Sequence, residues 1–486
     1  MIKKLLVKET KFYATLAALG ICACAHAGTT DIAGGIDVAS APEIKAVDGN
    51  LDIVLSPAEG NPSGEAFFVG NASTINSLKT SGAPSAWNIA SGKTTIDINR
   101  SGGGNFDAFI NNGAMTLGGE TVLEFVNSAG SAAVANIDFG NLSIPEPAWN
   151  SADSFGLRIK TNADIAGANF NVGDSSASQE TSIWVSNNSN VNYAVERSVF
   201  GRAARIKIDR GSTFTVAQTA SMSMTASRMQ VVVDGTFVFN NRYLQVNEGI
   251  ISGTLTFSPY AGAVNPSFVI GGTGSQLLGN GVINTSEGIM IKNGSLEVRD
   301  NGKVNITKNE KAIVFDVGNL YLGAENVFSC NGKLADLKII GGKYLNENLL
   351  GVAADNNFNN LYWQREDNVK LKILLENGAR LYFNAITFDG RTGAFAGTTE
   401  LIISDFVERS IFLKDITGWG ELTAVALTDI DGVRYTKNQL YWHEGKYIDG
   451  TDGHWLSTSP VIPEPAACAV IFGAAVLALA ALRRRK

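Results

Sequence analysis

The sequence predicts an all-β chain, wound as a parallel β-solenoid and closed by a C-terminal β cap. Three observations predict it. Short stretches of alternating polarity recur along the body, as in Thr213-Phe214-Thr215-Val216, Thr236-Phe237-Val238-Phe239 and Thr254-Leu255-Thr256-Phe257. Each follows a small turn, Arg210-Gly211, Asp234-Gly235 or Ser252-Gly253. Composition agrees: glycine is 52 of 486 residues, charged residues are only 17%, and Leu/Glu/Lys runs are scarce, a profile that favours strands joined by tight turns.

The elements follow in order. Residues 1–27 read as a signal peptide. Lys3, Lys4, Lys8 and Lys11 precede the apolar run Phe12 to Cys24, and Ala25-His26-Ala27 fits a small-x-small cleavage site that leaves Gly28 first. A lipobox at Cys22 or Cys24 is the alternative; Ile21 argues against the former. Residues 28–85 read as a lead-in and cap, and 86–400 as the repeat body. Its further strands include Thr94 to Ile98, Ala114 to Leu117, Ser295-Leu296-Glu297-Val298 and Arg380 to Phe383. Period-two alternation buries one side of each.

Steps from Gly92 to Gly113, Gly211 to Gly235, Gly235 to Gly253 and Gly272 to Gly294 are roughly 18 to 24 residues, the size of a solenoid coil. Asn-Gly and Asp-Gly corners supply positive φ. In stacked rows, Phe214, Val216, Phe237, Phe239, Leu255, Phe257, Leu296 and Val298 face inward. The alternative is a pair of antiparallel β-sandwiches, in which the same turns are hairpins. The repeat weakens after Leu401. Residues 401–458 form an aromatic-rich β-block that hides the open strand edge, with Gln439 to Trp442 as its last strand.

The end of the chain carries the sharpest signal. Residues 459–465 form a linker with Pro463-Glu464-Pro465. Residues 466–482 are uncharged, and Arg483-Arg484-Arg485-Lys486 follow. About seventeen apolar residues rise ~25 Å as a helix, the short end of a membrane span, and the basic cluster holds its end on the cytoplasmic side. The plain alternative is a C-terminal anchor. The three-part order resembles the C-terminal sorting signal of PEP-CTERM proteins of Gram-negative bacteria. The resemblance covers Val461 to Lys486 and implies cleavage near Pro-Glu-Pro by an exosortase-type membrane protease. The pentapeptide alone is weak, because Ile144-Pro145-Glu146-Pro147-Ala148 repeats Ile462 to Ala466 without the apolar run or the basic cluster. The repeat body, β-block and tail together are similar to autotransporter-passenger-like repeat proteins, an architectural likeness that carries no catalytic residues.

Charge and cysteine count narrow the function. Removing the +3 of the leader and the +4 of the last four residues from the chain's −7 leaves −14 for the body. That argues against nucleic acid and against polyanions without a bridging cation. Cys330 is the only cysteine between leader and tail, so the body holds no intrachain disulfide; without a nearby histidine it reads as a buried thiol.

Candidate chemistry is sparse. Arg158-Ile159-Lys160 and Arg205-Ile206-Lys207 both resemble the Arg-Ile-Lys element of polygalacturonases. That family also needs Gly-His-Gly and Asp-Asp, yet no histidine lies between His26 and His443 and no Asp-Asp occurs. Both tripeptides therefore read as strand residues with solvated charges. His443, Glu444, Asp449, Asp452 and His454 offer metal-ligand types without a zinc spacing. Asp429-Ile430-Asp431-Gly432 resembles the start of a calcium loop but lacks its third acid and distant Glu. Ser101 to Gly104 and Gly271 to Gly274 lack a following Lys-Ser or Lys-Thr and read as turns. Trp419, Tyr435, Tyr441, Trp442, Tyr447 and Trp455 are either cap core or a sugar-stacking face.

No catalytic, cofactor-binding or metal residue is assigned, and no cofactor is expected. Two functions are expected. The first is an exported structural or adhesive protein of the cell surface or matrix, sorted by its tail, with the membrane, the exosortase-type protease and extracellular polysaccharide as partners. The alternative is a carbohydrate-active enzyme or glycan-binding protein on a β-solenoid.

Overall fold

The structure is a computed structural model and describes residues 28–33, 51–56, 73–75, 77–80, 86–89, 92–111, 114–117, 121–144, 156–172, 180–200, 204–220, 222–223, 230–340, 346–365, 368–395 and 397–460. The expected leader with Ala25 and Ala27, both Pro-Glu-Pro segments (Pro463, Glu464 and Pro465 in the tail), the apolar run 466–482 and Arg483 to Lys486 lie outside the described residues. No helix among the described residues is long and apolar enough to cross a membrane. The chain divides after Ala335 into two compact units.

The first unit is a parallel β-solenoid. A coil such as that of Gly156–Lys160, Asn162–Ala166 and Asn169–Val172 contributes one strand to each of three faces, here called B, A and C. Among the described residues, face A holds thirteen strands, from Gly28–Ala33 to Phe328–Cys330. Its described strand-to-strand pairings are parallel, so these alternating strands are stacked coils and not hairpin arms. Three strands of the expected lead-in, Gly28–Ala33, Leu51–Ser56 and Ser77–Thr80, already pair within this face. Among the described residues, face C holds six strands, from Ala86–Ile89 to Met222–Ser223. From Tyr243 onward the third strand of a coil runs into the first of the next. Ser267–Gly279 pairs by one half with Tyr243–Val246 and by the other with Glu248–Ile251. Gly271 to Gly274, expected as a turn, sits inside this continuous strand, where the register shifts.

The core is built from the inward half of each alternating strand. Phe214, Phe237 and Leu255 are in register on face A, as are Val216, Phe239 and Phe257, and all are fully buried. Ring centroids of Phe214 and Phe237 lie 5.8 Å apart and stacked. Leu296 and Val298 also point inward, but from face B, where they pair with Leu320 and Leu322. The eight residues thus belong to rows on two walls. Coil length varies more than the glycine spacing predicts, from 18 residues between Phe237 and Leu255 to 31 between Leu78 and Phe109. Gly92 opens a strand of face B, whereas Ala114–Leu117, the strand after Gly113, lies on face C, so that step joins two faces.

The corner glycines between faces B and A act by close approach. A Cβ on Gly253 would lie 2.1 Å from the carbonyl oxygen of Gly235, and one on Gly281 2.1 Å from that of Gly253. Each carbonyl accepts the backbone N–H of the residue after the next corner glycine, at 2.8 and 2.9 Å. Positive φ applies at Gly211, at +82°, and not at Gly235 or Gly253. Outward positions of face A carry polar ladders: Asn136 donates to Asp107 at 3.1 Å, Asn192 to Asp164 at 2.8 Å, and Asn305 to Asn284 at 3.0 Å.

The second unit has two parallel ladders. One runs Asp336–Ile340, Asn356–Gln364, Leu381–Asp389, Ile411–Asp415; the other Asn346–Val352, Val369–Leu375, Thr399–Phe406, Ala424–Asp429. Parallel coiling therefore continues past Leu401, and antiparallel pairing begins only with Arg434–Thr436. Lys437–Gln439 is a 3₁₀ turn, Tyr441–Lys446 a strand, and Asp452–Ser457 a further strand that pairs with it and with Ile411–Asp415. These pairings occupy edge N–H and C=O groups of the last coil.

Candidate functional site

Parallel in-register pairing converts separated residues into rows, one coil about 4.8 Å above another. On face B it aligns Thr95, Glu124, Arg158, Trp184 and Lys207 on the outward side. Lys160 Nζ lies 2.6 Å from Glu124 Oε2. The Arg158 guanidinium lies 5.4 Å from the Trp184 ring centroid, and the Lys207 ammonium lies 3.7 Å from it. Trp184 Nε1 donates to Asp209 Oδ2 at 2.8 Å. Beside this row, Arg205 donates to Gln230 Oε1 at 3.0 Å, and Gln230 donates to Glu248 at 3.0 Å.

Both Arg-Ile-Lys elements thus lie on face B, two coils apart, with Ile159 and Ile206 in the core. The expectation of solvated charges fails at Arg158, which is only 5% exposed. Its cation lies against the Trp184 ring, an arrangement that stabilises by about 0.5–2 kcal/mol. The indole meets a cation from each neighbouring coil, so it braces the row more readily than it offers a platform to a sugar.

A corner depression of about 520 Å³ lies beside this row, lined by Asn187, Asn188, Asp209, Arg210 and Asp234. Turn length explains it. Residues 186–189 and 209–212 connect faces B and A with four residues each, whereas 234–235 and 252–253 do so with two. Long turns project beside short ones and leave a step. Asn187 and Asn188 both have positive φ, at 62° and 56°, a conformation asparagine tolerates. Asn187 Nδ2 donates to the Lys160 carbonyl at 3.2 Å, which fixes its amide.

The C-terminal candidates do not converge. In the hairpin of Tyr441–Lys446 and Asp452–Ser457, His443 is opposite Trp455 and His454 is opposite Glu444. The two imidazoles therefore fall on opposite faces. Asp449 accepts the Thr451 N–H at 2.9 Å, and hydrogen bonds from that residue hold its carboxyl below the usual range. Asp452 pairs with Lys446 at 3.2 Å. Among the described residues no three His, Cys, Asp or Glu side chains are grouped to hold a metal ion. Asp429 Oδ1 accepts from the N–H groups of Asp431 and Val433, closing a tight turn. Cys330 is buried and points its thiol at the Lys308 carbonyl, 3.1 Å away. Of the aromatic candidates, Tyr447 and Trp455 join Tyr382 and Phe412 in a buried cluster, Trp419 packs edge-on against Trp442 at 5.0 Å, and Tyr441 is exposed.

Sequence reasoning missed Trp184, Asn187, Asn188, Asp209, Arg210 and Asp234 as site residues. The Asn-Asn pair and the recurrence of Asp at a strand end, 209 and then 234, are the signals that point to them. No family model, curated protein or solved structure matches the chain.

Proposed function

We propose that this is an exported, non-catalytic structural or adhesive protein of the cell surface or extracellular matrix. The observation that carries the reading is the tail: Pro463-Glu464-Pro465, an uncharged run and Arg483-Arg484-Arg485-Lys486, placed behind a β-solenoid body. The leader delivers the chain across the membrane, the tail holds it there, and an exosortase-type protease releases the body near Pro-Glu-Pro.

Features of the body support this. Charged groups on face B are tied to neighbouring coils, Lys160 to Glu124 directly and Arg205 to Glu248 through the amide of Gln230. Coil stacking gives a continuous hydrogen-bonded scaffold, suited to spacing and display. Fractionation with mass spectrometry of both ends of the mature protein tests the reading. The expected result is a surface or released form beginning at Gly28 and lacking the basic tail. An intact cytoplasmic chain overturns it.

A second reading, a glycan-binding protein, is favoured by the corner depression beside Trp184.

A further inference from the structure

We propose that the corner depression is a binding subsite for a neutral, hydroxyl-rich polymer, a polysaccharide chain lying across the corner between faces B and A. The inference rests on the surface or matrix reading and adds the place and chemistry of contact.

The lining chooses the class of ligand. Two amides, two carboxylates and a guanidinium surround the depression. A sugar hydroxyl both donates and accepts, and this mixture supplies both roles: Asn and Arg donate, Asn and Asp accept. The lining has a net charge of about −1 at neutral pH, from two carboxylates against one guanidinium. A polyanion therefore meets repulsion here as well as from the acidic body. None of the lining residues is apolar, so an apolar ligand would leave these groups without hydrogen bonds. A cation finds Asp209 already committed, with Oδ2 on the Trp184 indole at 2.8 Å and Oδ1 3.9 Å from Lys207 Nζ.

Asn187, Asn188 and Asp209 are held before any ligand arrives. Asn187 donates one amide hydrogen to the Lys160 carbonyl, which fixes the amide plane and leaves Oδ1 to accept. Asp209 is fixed by the indole. The Asn188 side chain packs over Gly211, where any Cβ would collide with its Oδ1. Preorganised groups lose little freedom on binding. Asn187, Asn188, Arg210 and Asp234 are all exposed.

Contacts continue beyond the depression. The coils that form it run on into face A, where Asn190 and Thr213, and Asn192 and Thr215, stand in register on the outward side. Amides and hydroxyls therefore recur at the coil spacing of about 4.8 Å, a strip along which a chain of sugars can extend.

The test is affinity electrophoresis and calorimetry of the full-length protein in detergent. Hydroxyethylcellulose and galactomannan are the neutral probes, and polygalacturonate is the anionic one. The expected result is binding to a neutral probe, weakened about tenfold by Asp234→Ala and again by Asn187→Ala, the loss of one or two hydrogen bonds each. Lys338→Ala, in the second unit, should leave binding unchanged. Far-UV circular dichroism checks each fold, and Arg210→Ala replaces Asn187→Ala if the latter does not fold. Binding of polygalacturonate alone, no binding, or undiminished binding by the variants each overturns the subsite. Fractionation separates the two readings. A surface protein that binds neither neutral probe sinks the subsite alone, and a cytoplasmic protein that binds through Asp234 sinks the surface reading alone.

Discussion

Tyr447 donates its phenolic hydrogen to Asn357 Oδ1 over 2.8 Å, although the two residues are ninety positions apart. The contact shows how the second unit closes. Asn357, Tyr382 and Phe412 occupy one outward row, and Phe412 is opposite Trp455. The hairpin lays Tyr447 across that row, 5.0 Å from the Tyr382 ring and 5.2 Å from Phe412. A row that would face water becomes a second small core.

Tyr447→Phe should cost about 1 kcal/mol, the net worth of one hydrogen bond. Tyr447→Ala should cost about 3–5 kcal/mol, because the cluster loses a ring. Burial pushes the Tyr447 phenol up from 10.0 to about 12. A raised pKa favours the neutral form in the fold. Its contribution is therefore full below pH 10 and is lost as pH rises through about 12. Urea titrations of parent and Tyr447→Phe at pH 9 to 12 check this; the parent should lose stability more steeply.

Gly253→Ala should destabilise by about 1–3 kcal/mol, since the new methyl must displace backbone carbonyls in a stacked column. Gly103→Ala has nothing within 4 Å and should change stability by less than about 0.5 kcal/mol. Thermal melts of the two variants, side by side, separate close approach from mere loss of glycine. Equal effects would sink the corner-column account.

Trp184 and Lys207 should be energetically coupled. A double-mutant cycle with Trp184→Leu and Lys207→Met is expected to give about 0.5–1 kcal/mol of interaction. Additive losses would show that the 3.7 Å approach of ammonium to ring contributes nothing.

Much of the core was legible because alternation and turn chemistry agree. Thr236-Phe237-Val238-Phe239 states which residues point inward, and Asp234-Gly235 states where the strand begins. Alternation does not say which wall a strand joins. Phe237 and Leu296 look alike in sequence but lie on faces A and B. The burial of Arg158 was illegible for a related reason: its partner is Trp184, set beside it by a register that only the coil lengths determine. The depression escaped notice because a four-residue turn and a two-residue turn both read simply as turns. At Gly253 the residue was legible and its reason was not, since the cause is a carbonyl one coil away.

Glu464 should matter for sorting while Glu146 should not. The two lie in identical pentapeptides, Ile462 to Ala466 and Ile144 to Ala148, so their local chemistry is matched. What differs is context. Glu464 stands directly before an uncharged run long enough, at ~1.5 Å per residue, to reach about 25 Å into a bilayer. Under the proposed sorting reading, the basic residues at 483–486 would set the direction of that run. A membrane protease recognising Pro-Glu-Pro at the bilayer surface would find Glu464 there. Glu146 instead follows Asn141–Ile144, a strand of face C whose neighbours on both sides are coils of the solenoid. Glu464→Ala should leave the full-length chain in the membrane fraction, whereas Glu146→Ala should be released like the parent. Replacing Arg483, Arg484 and Arg485 with Ala should also disturb retention or processing, by removing the charges that orient the run. Immunoblots of membrane and released fractions read all three variants. If Glu464→Ala is trimmed like the parent, Pro-Glu-Pro is not the recognised element and the tail serves only as an anchor.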